Sequence, residues 1–270
     1  MEIMNSAVLF AVILFLLCAA PSSASVFPEN PQSDCLYQIS TLQAYAASDF
    51  YGSMTIEAFL RCGDIAIGAF EGANGELVVL DGVCYRVAGD GSVEIPSLNE
   101  KLPFASITFF DTDIKKDFCT PITFEALEKE LDKIVAENGA NVFYAAKIKG
   151  NFSNIKLRSG IAQKEPYKTL EEFMKTNQCF FEYKDIKGTL VGFYFPPYAS
   201  GVNMPGWHFH FLSDAKDKGG HVIDFTMSEG ELELDKTAAF YMVLPDTKYF
   251  NDLNLTGFDE ALDRVERVKE

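Results

Sequence analysis

Apolar residues recur along this chain at two spacings, and each spacing predicts its own elements. CLYQIS, IAIGAF, GELVVL, CYRVAG and ASITFF read as strands, and the GANG, DG and GDG segments among them read as turns. Side chains of an extended strand point to alternate faces, so in GELVVL the side chains of Glu76, Val78 and Leu80 share one face while Leu77 and Val79 fill the other. TLQAYAASDFYGSMTIEAFLRCGD carries turn and short helical signals. In TPITFEALEKELDKIVAENG the spacing becomes helical. Leu127, Leu131, Ile134 and Val135 form one stripe, Thr123 can cap the start, Glu125 and Glu128 suit the positive end, and Gly139 stops the helix, which reads as packing rather than chemistry. NVFYAAKIKG and NIKLRS predict two further strands. A proline and the short helix TLEEFMKTN follow, and the pattern then returns to β in CFFEY, GTLVGFYF, GWHFHF, HVIDF, ELELD and AAFYMVL. The chain is expected to be β-rich and α+β, with a division near residues 159 to 180 where the proline and helix interrupt two β-rich halves.

The candidate chemistry is concentrated in one predicted hairpin. The chain has 3 histidines, and His208, His210 and His221 all fall between Pro196 and Phe225. On a strand His208 and His210 point the same way, with Trp207, Phe209 and Phe211 opposite in apolar packing. The turn SDAKDKGG returns the chain so that His221 lies beside the pair. Three imidazoles with room left for water or substrate are what an open zinc site needs. Spacing alone leaves iron, copper, nickel and manganese-type sites of mixed ligation open. Glu76 stands either on a buried strand, where it would hold a proton near neutrality, or at a wet turn edge. Arg158 shares a face with Lys156, opposite Ile155 and Leu157, and reads as part of a solvated sheet face.

Charge removes some classes of partner. A formal net charge of -16 argues against nucleic acid and against a basic membrane-binding patch, so a small anionic substrate needs its own local cation. Ala7 to Ala20 is an unbroken apolar run, too short to span a bilayer comfortably, and small residues at Ser22, Ala24 and Ser25 offer a cleavage site. Residues 1–25 therefore read as a signal peptide despite Glu2 in place of the usual basic start, and the mature chain is expected in a secreted or other oxidising exported compartment, free of the membrane. Cys35, Cys62, Cys84, Cys119 and Cys179 remain after cleavage, which allows at most two disulfides, and no CxxC pair supports a cysteine metal site. Asn151 in NFS and Asn254 in NLT match the glycosylation pattern.

The order of several motifs resembles the acetolactate decarboxylase family. They are GDIAIGAF followed by NGELVVLDG, then PFASITFF, then FYAAKIKG with Arg158 shortly after, EPY at Glu165 to Tyr167, and GFYFPPYASGV followed by GWHFHF and GGHVIDF. The resemblance runs from about CLYQIS to the C-terminus. It implies an α/β arrangement in which a mixed β-sheet domain leads into a smaller antiparallel β-barrel-like domain that carries the metal; with the division read from the proline and helix, these are expected over residues 26–160, with one packed helix, and residues 161–270, with a C-terminal tail. It further implies Zn2+ on His208, His210 and His221, with Glu76, Arg158 and a tail carboxylate lining the same pocket. Matching through LPDTKYFN places that carboxylate at Glu266, with Glu270 as the other register. The implied reaction is decarboxylation of (S)-2-acetolactate to (R)-acetoin, and the implied assembly is a homodimer. The chain departs from the family pattern at Ala69, where the family has a threonine. From the residues alone, a secreted metal-binding β-barrel without turnover and a cupin-like metal oxygenase are the alternatives. The tail FDEALDRVERVKE by itself reads as a charged terminal helix with Phe258, Leu262 and Val265 on its apolar face.

Overall fold

In the computed structural model, which describes residue 28 and residues 30–256, the alternating runs of the N-terminal half build a seven-stranded sheet. Its order is Ala239–Val243, Cys35–Ile39, Phe104–Thr108, Ile65–Ala69, Glu76–Leu80, Val83–Val87 and Val93–Glu94. Every neighbouring pair is antiparallel except the first, which is parallel, so the sheet is mixed. Strand alternation sorts its side chains. Ile65, Ile67, Val78 and Leu80 pack against Val191, Phe193 and Leu212 of the second sheet, while Ala66, Leu77, Val79 and Ile107 pack with Met54, Ile56 and Phe59. The expected leader, residues 1–25, and the expected tail carboxylate, Glu266 or Glu270, lie outside the described residues.

The second sheet holds six antiparallel strands in place of the larger number of short runs that the pattern predicts. Phe143–Gly160, Gln178–Phe195 and Gly219–Thr237 are each continuous, where the sequence suggests pairs of strands broken at glycine. The glycines are the reason. Gly150 pairs with Gly188 on one side and Gly230 on the other, forming a glycine row across three strands. A Cβ on Gly188 would lie 2.4 Å from the Phe211 ring, and one on Gly150 or Gly230 would lie 2.4 or 2.5 Å from the Met227 sulfur. These positions let core side chains lie against the backbone without interrupting the ladder. We expect Gly188→Ala to lower stability by about 1–3 kcal/mol, the usual cost of overpacking, read as a lower midpoint in thermal unfolding.

The closed barrel implied for this half is not what forms. Gly206–Ser213 is too short to pair along the whole of Gly219–Thr237, and the two meet only in three pairs at their hairpin, His210 with His221, Phe211 with Gly220 and Leu212 with Gly219. Ile114–Phe118 and Ile122–Thr123 instead pair elsewhere along Gly219–Thr237. Phe143–Gly160 belongs to the second sheet, and Ala239–Val243 returns to the edge of the first.

The predicted helix is present as Phe124–Asn138, with Ala126 N–H donating to the Thr123 hydroxyl at its start and Gly139 at φ 124° at its end. Its apolar stripe, Leu127, Leu131 and Ile134, packs with Phe209, Phe211 and Phe225. No helix among the described residues is long and apolar enough to cross a membrane. The five described cysteines are free thiols, and burial pushes both Cys62 and Cys84 up to about 12.

Candidate active site

Strand register places three of the predicted site residues in one row. Arg158 pairs with His221, and His221 pairs with His210; opposed residues share a face of a sheet. His208 follows two places from His210 and so joins the same face. Phe209 and Phe211 enter the apolar cluster behind, with Trp207 packed against it, and Trp207 stacks on Phe209 with ring centroids 5.5 Å apart. One ligand nitrogen from each histidine lies within 4.8 Å of the others, a spacing that could hold a metal ion.

Hydrogen bonds set the ring nitrogens. His210 Nδ1 lies 2.8 Å from the Leu77 carbonyl oxygen, which can only accept, so Nδ1 carries the proton and Nε2 presents its lone pair to the pocket. That Nε2 lies 3.4 Å from Glu76 Oε2. Arg158 Nη2 lies 3.1 Å from His221 Nε2, and His221 Nδ1 faces His208 Nε2 at 2.9 Å. Burial, reinforced by the Arg158 charge, pushes His208 down to about 3. His221 is held well below its ordinary range by burial first, then by Arg158 and the other two imidazoles. Neutral imidazole is the form that ligates a metal, and a backbone carbonyl fixing one tautomer is a usual outer-sphere arrangement. The donor set therefore fits a metal ion.

The remaining predicted residues fall as follows. Glu76 opens its strand with a side chain 20% exposed, between the buried and the wet readings. Arg158 is 6% exposed, against the expectation of a solvated face. The first sheet and the helix Leu170–Thr176 cover its end of the strand, and Arg158 lines a cavity with Glu76, Leu170 and Phe173. Sequence reasoning missed the cavity's apolar walls, Leu42, Tyr45, Phe104, Leu170, Phe173 and Met174. The i, i+3, i+4 spacing of Leu170, Phe173 and Met174 carried the signal, but not the direction in which that helix faces. It also missed Leu77, whose contribution is a backbone carbonyl that leaves no mark in the sequence. A second cavity of about 390 Å³ shares Arg158, His208 and His221, and includes Glu125, Glu128 and Asp132; the helix assigned to packing thus lines the site as well.

A guanidinium beside three imidazoles that could hold a metal ion, in a cavity shared with Glu76, suits an enzyme that binds a small carboxylate and handles charge left on its oxygens. Residues 36–257 match the family model described as alpha-acetolactate decarboxylase, and the chain belongs to this family of carboxy-lyases. It is 38% identical over 239 residues to an alpha-acetolactate decarboxylase of Methanosarcina mazei, covering 88% of this chain and 82% of that protein. The Bacillus subtilis enzyme is 32% identical over 228 residues, covering 84% of this chain and 88% of that protein. A crystal structure of alpha-acetolactate decarboxylase from Bacillus subtilis strain 168 superposes with a TM-score of 0.83 at 31% identity, over 86% of this chain and 99% of that one.

Proposed function

We propose that the chain converts (S)-2-acetolactate to (R)-acetoin and carbon dioxide in this pocket, with a zinc ion held by His208, His210 and His221. The row of Arg158, His221 and His210, with Glu76 beside His210, carries the reading. Zinc bound there supplies Lewis-acid stabilisation of the negative charge that develops on substrate oxygens. Arg158 pairs with the substrate carboxylate and provides the local cation that an acidic protein needs. The bond between the carboxylate carbon and the carbinol carbon breaks, carbon dioxide leaves, and the electron pair stays on the substrate as an enediolate. Glu76, as the acid, gives its proton to one face of that carbon and regains one from solvent. The test is metal content of the purified chain together with chiral analysis of the acetoin formed from racemic substrate. One zinc per chain and (R)-acetoin support the reading; absence of acetoin from metal-replete protein sinks it.

The tail belongs to the same proposal. Glu266 works with Glu76 in proton transfer, and truncation after Arg264 is expected to cut acetoin formation by about 100-fold or more, the scale of a lost acid–base group, with zinc retained. Glu266→Gln reproduces most of the loss. A truncated chain with full turnover assigns the role to Glu76 alone. Export through residues 1–25 and pairing into a homodimer complete the proposal; the mass of the secreted chain and its sedimentation check each.

A further inference from the structure

The three histidines are not held equally by the sheet. The strand Gly206–Ser213 pairs with Gln178–Phe195 along its whole length but with Gly219–Thr237 only from His210 onward. Among the described residues His210 therefore lies between Val191 and His221, while His208 has a strand partner, Phe193, on one side alone. A stretch with one ladder opens more easily than one with two, so the segment that leads into it bears on where the His208 ring sits.

That segment is pinned by a buried amide network. Gln38 and Ser106 oppose each other in the first sheet, on the face that Ile67 turns to the second, and Asn203 reaches them from the turn before the histidine strand. Asn203 Nδ2 donates to Gln38 Oε1 at 2.8 Å and to Ser106 Oγ at 3.2 Å, and Ser106 Oγ donates to the same Gln38 oxygen at 3.2 Å. Gln38 Nε2 donates in turn to the Ser40 and Val202 carbonyls at 2.8 and 2.9 Å. All three side chains are buried. At its other end Asn203 Oδ1 accepts from Met204 N–H at 2.7 Å, and the Val202 and Asn203 N–H groups both donate to the Ala199 carbonyl at 3.0 Å. Such a network carries a desolvation cost that apolar side chains would avoid. What it contributes is a single arrangement of the turn, because any other leaves a buried polar group unpaired. Met204, Pro205 and Gly206 run from this anchor to the histidine strand and line the same cavity as His208 and His221.

We propose that Asn203 is a positioning residue for the metal site: through residues 204–206 it sets where His208 presents its ligand nitrogen. The proposal rests on the reading that the three histidines hold zinc. His210 is fixed separately by the Leu77 carbonyl, so loss of the Asn203 amide loosens one ligand of the set and weakens the ion's hold without dismantling the site. Groups that keep a ligand in place typically contribute about 10- to 100-fold in metal affinity.

The experiment measures the zinc dissociation constant of the purified chain by competition with a chromophoric chelator, beside circular dichroism melts of the metal-free protein. Wild type is compared with Asn203→Ala and with Ile56→Val, which removes a buried methyl group from the apolar cluster on the other face of the first sheet. Asn203→Ala is expected to raise the constant at least about 10-fold, while Ile56→Val melts earlier and binds zinc as wild type does. A smaller rise in folded Asn203→Ala overturns the assignment. So does an equal rise in Ile56→Val, which would trace weaker binding to stability at large. If Asn203→Ala does not fold, Ser106→Ala decides, since it removes one partner of the amide: a raised constant supports the assignment, and an unchanged one overturns it. Wild type whose zinc binding is no tighter than that of His208→Ala removes the metal reading itself, and this proposal with it.

Discussion

Lysine in place of Arg158 is expected to lower kcat/KM for 2-acetolactate about 100-fold or more, the scale seen when one donor to a developing oxyanion is lost, while the melting temperature changes little. The charge survives the substitution, but the planar fork does not. Arg158 Nη2 lies 3.1 Å from His221 Nε2, and guanidinium geometry lets the same side chain offer further N–H groups to a carboxylate. An ammonium on a flexible stem can satisfy one of these partners at a time. Steady-state kinetics beside a melting curve separates the two effects. Wild-type turnover in a folded Arg158→Lys chain would return Arg158 to a structural role.

His208→Ala is expected to strip most of the metal and to reduce turnover by about 1000-fold or more, consistent with the several kcal/mol that Lewis-acid stabilisation contributes. His208 suits the test because it keeps an exposed edge, whereas His210 is 1% exposed and its loss would open a hole in the core. Elemental analysis alongside the acetoin assay reads both consequences. A variant that keeps a full complement of metal would show that His208 is not a ligand.

Local pattern predicted some parts of this molecule well, and the failures share a cause. The helix Phe124–Asn138 and its cap were legible because capping, stripe and stop all lie within one segment. The histidine hairpin was legible because alternation and a turn place His208, His210 and His221 without help from the rest of the fold. Local pattern breaks three long strands because glycine usually marks a strand end, whereas the alignment of Gly150 with Gly188 and Gly230 is a property of pairing between distant segments. The burial of Arg158 is hidden from local pattern for the same reason. The groups that bury it come from the first sheet and from the helix Leu170–Thr176, and nothing next to Arg158 in sequence announces them. The return of Ala239–Val243 to the first sheet as a parallel edge strand is likewise set by long-range packing.

The most direct test of the central claim is acetoin and carbon dioxide release from racemic 2-acetolactate by the purified chain, before and after removal of metal by a chelator and again after zinc is restored. Turnover is expected to disappear on chelation and to return with about one equivalent of zinc. Full turnover by verified metal-free protein would contradict it.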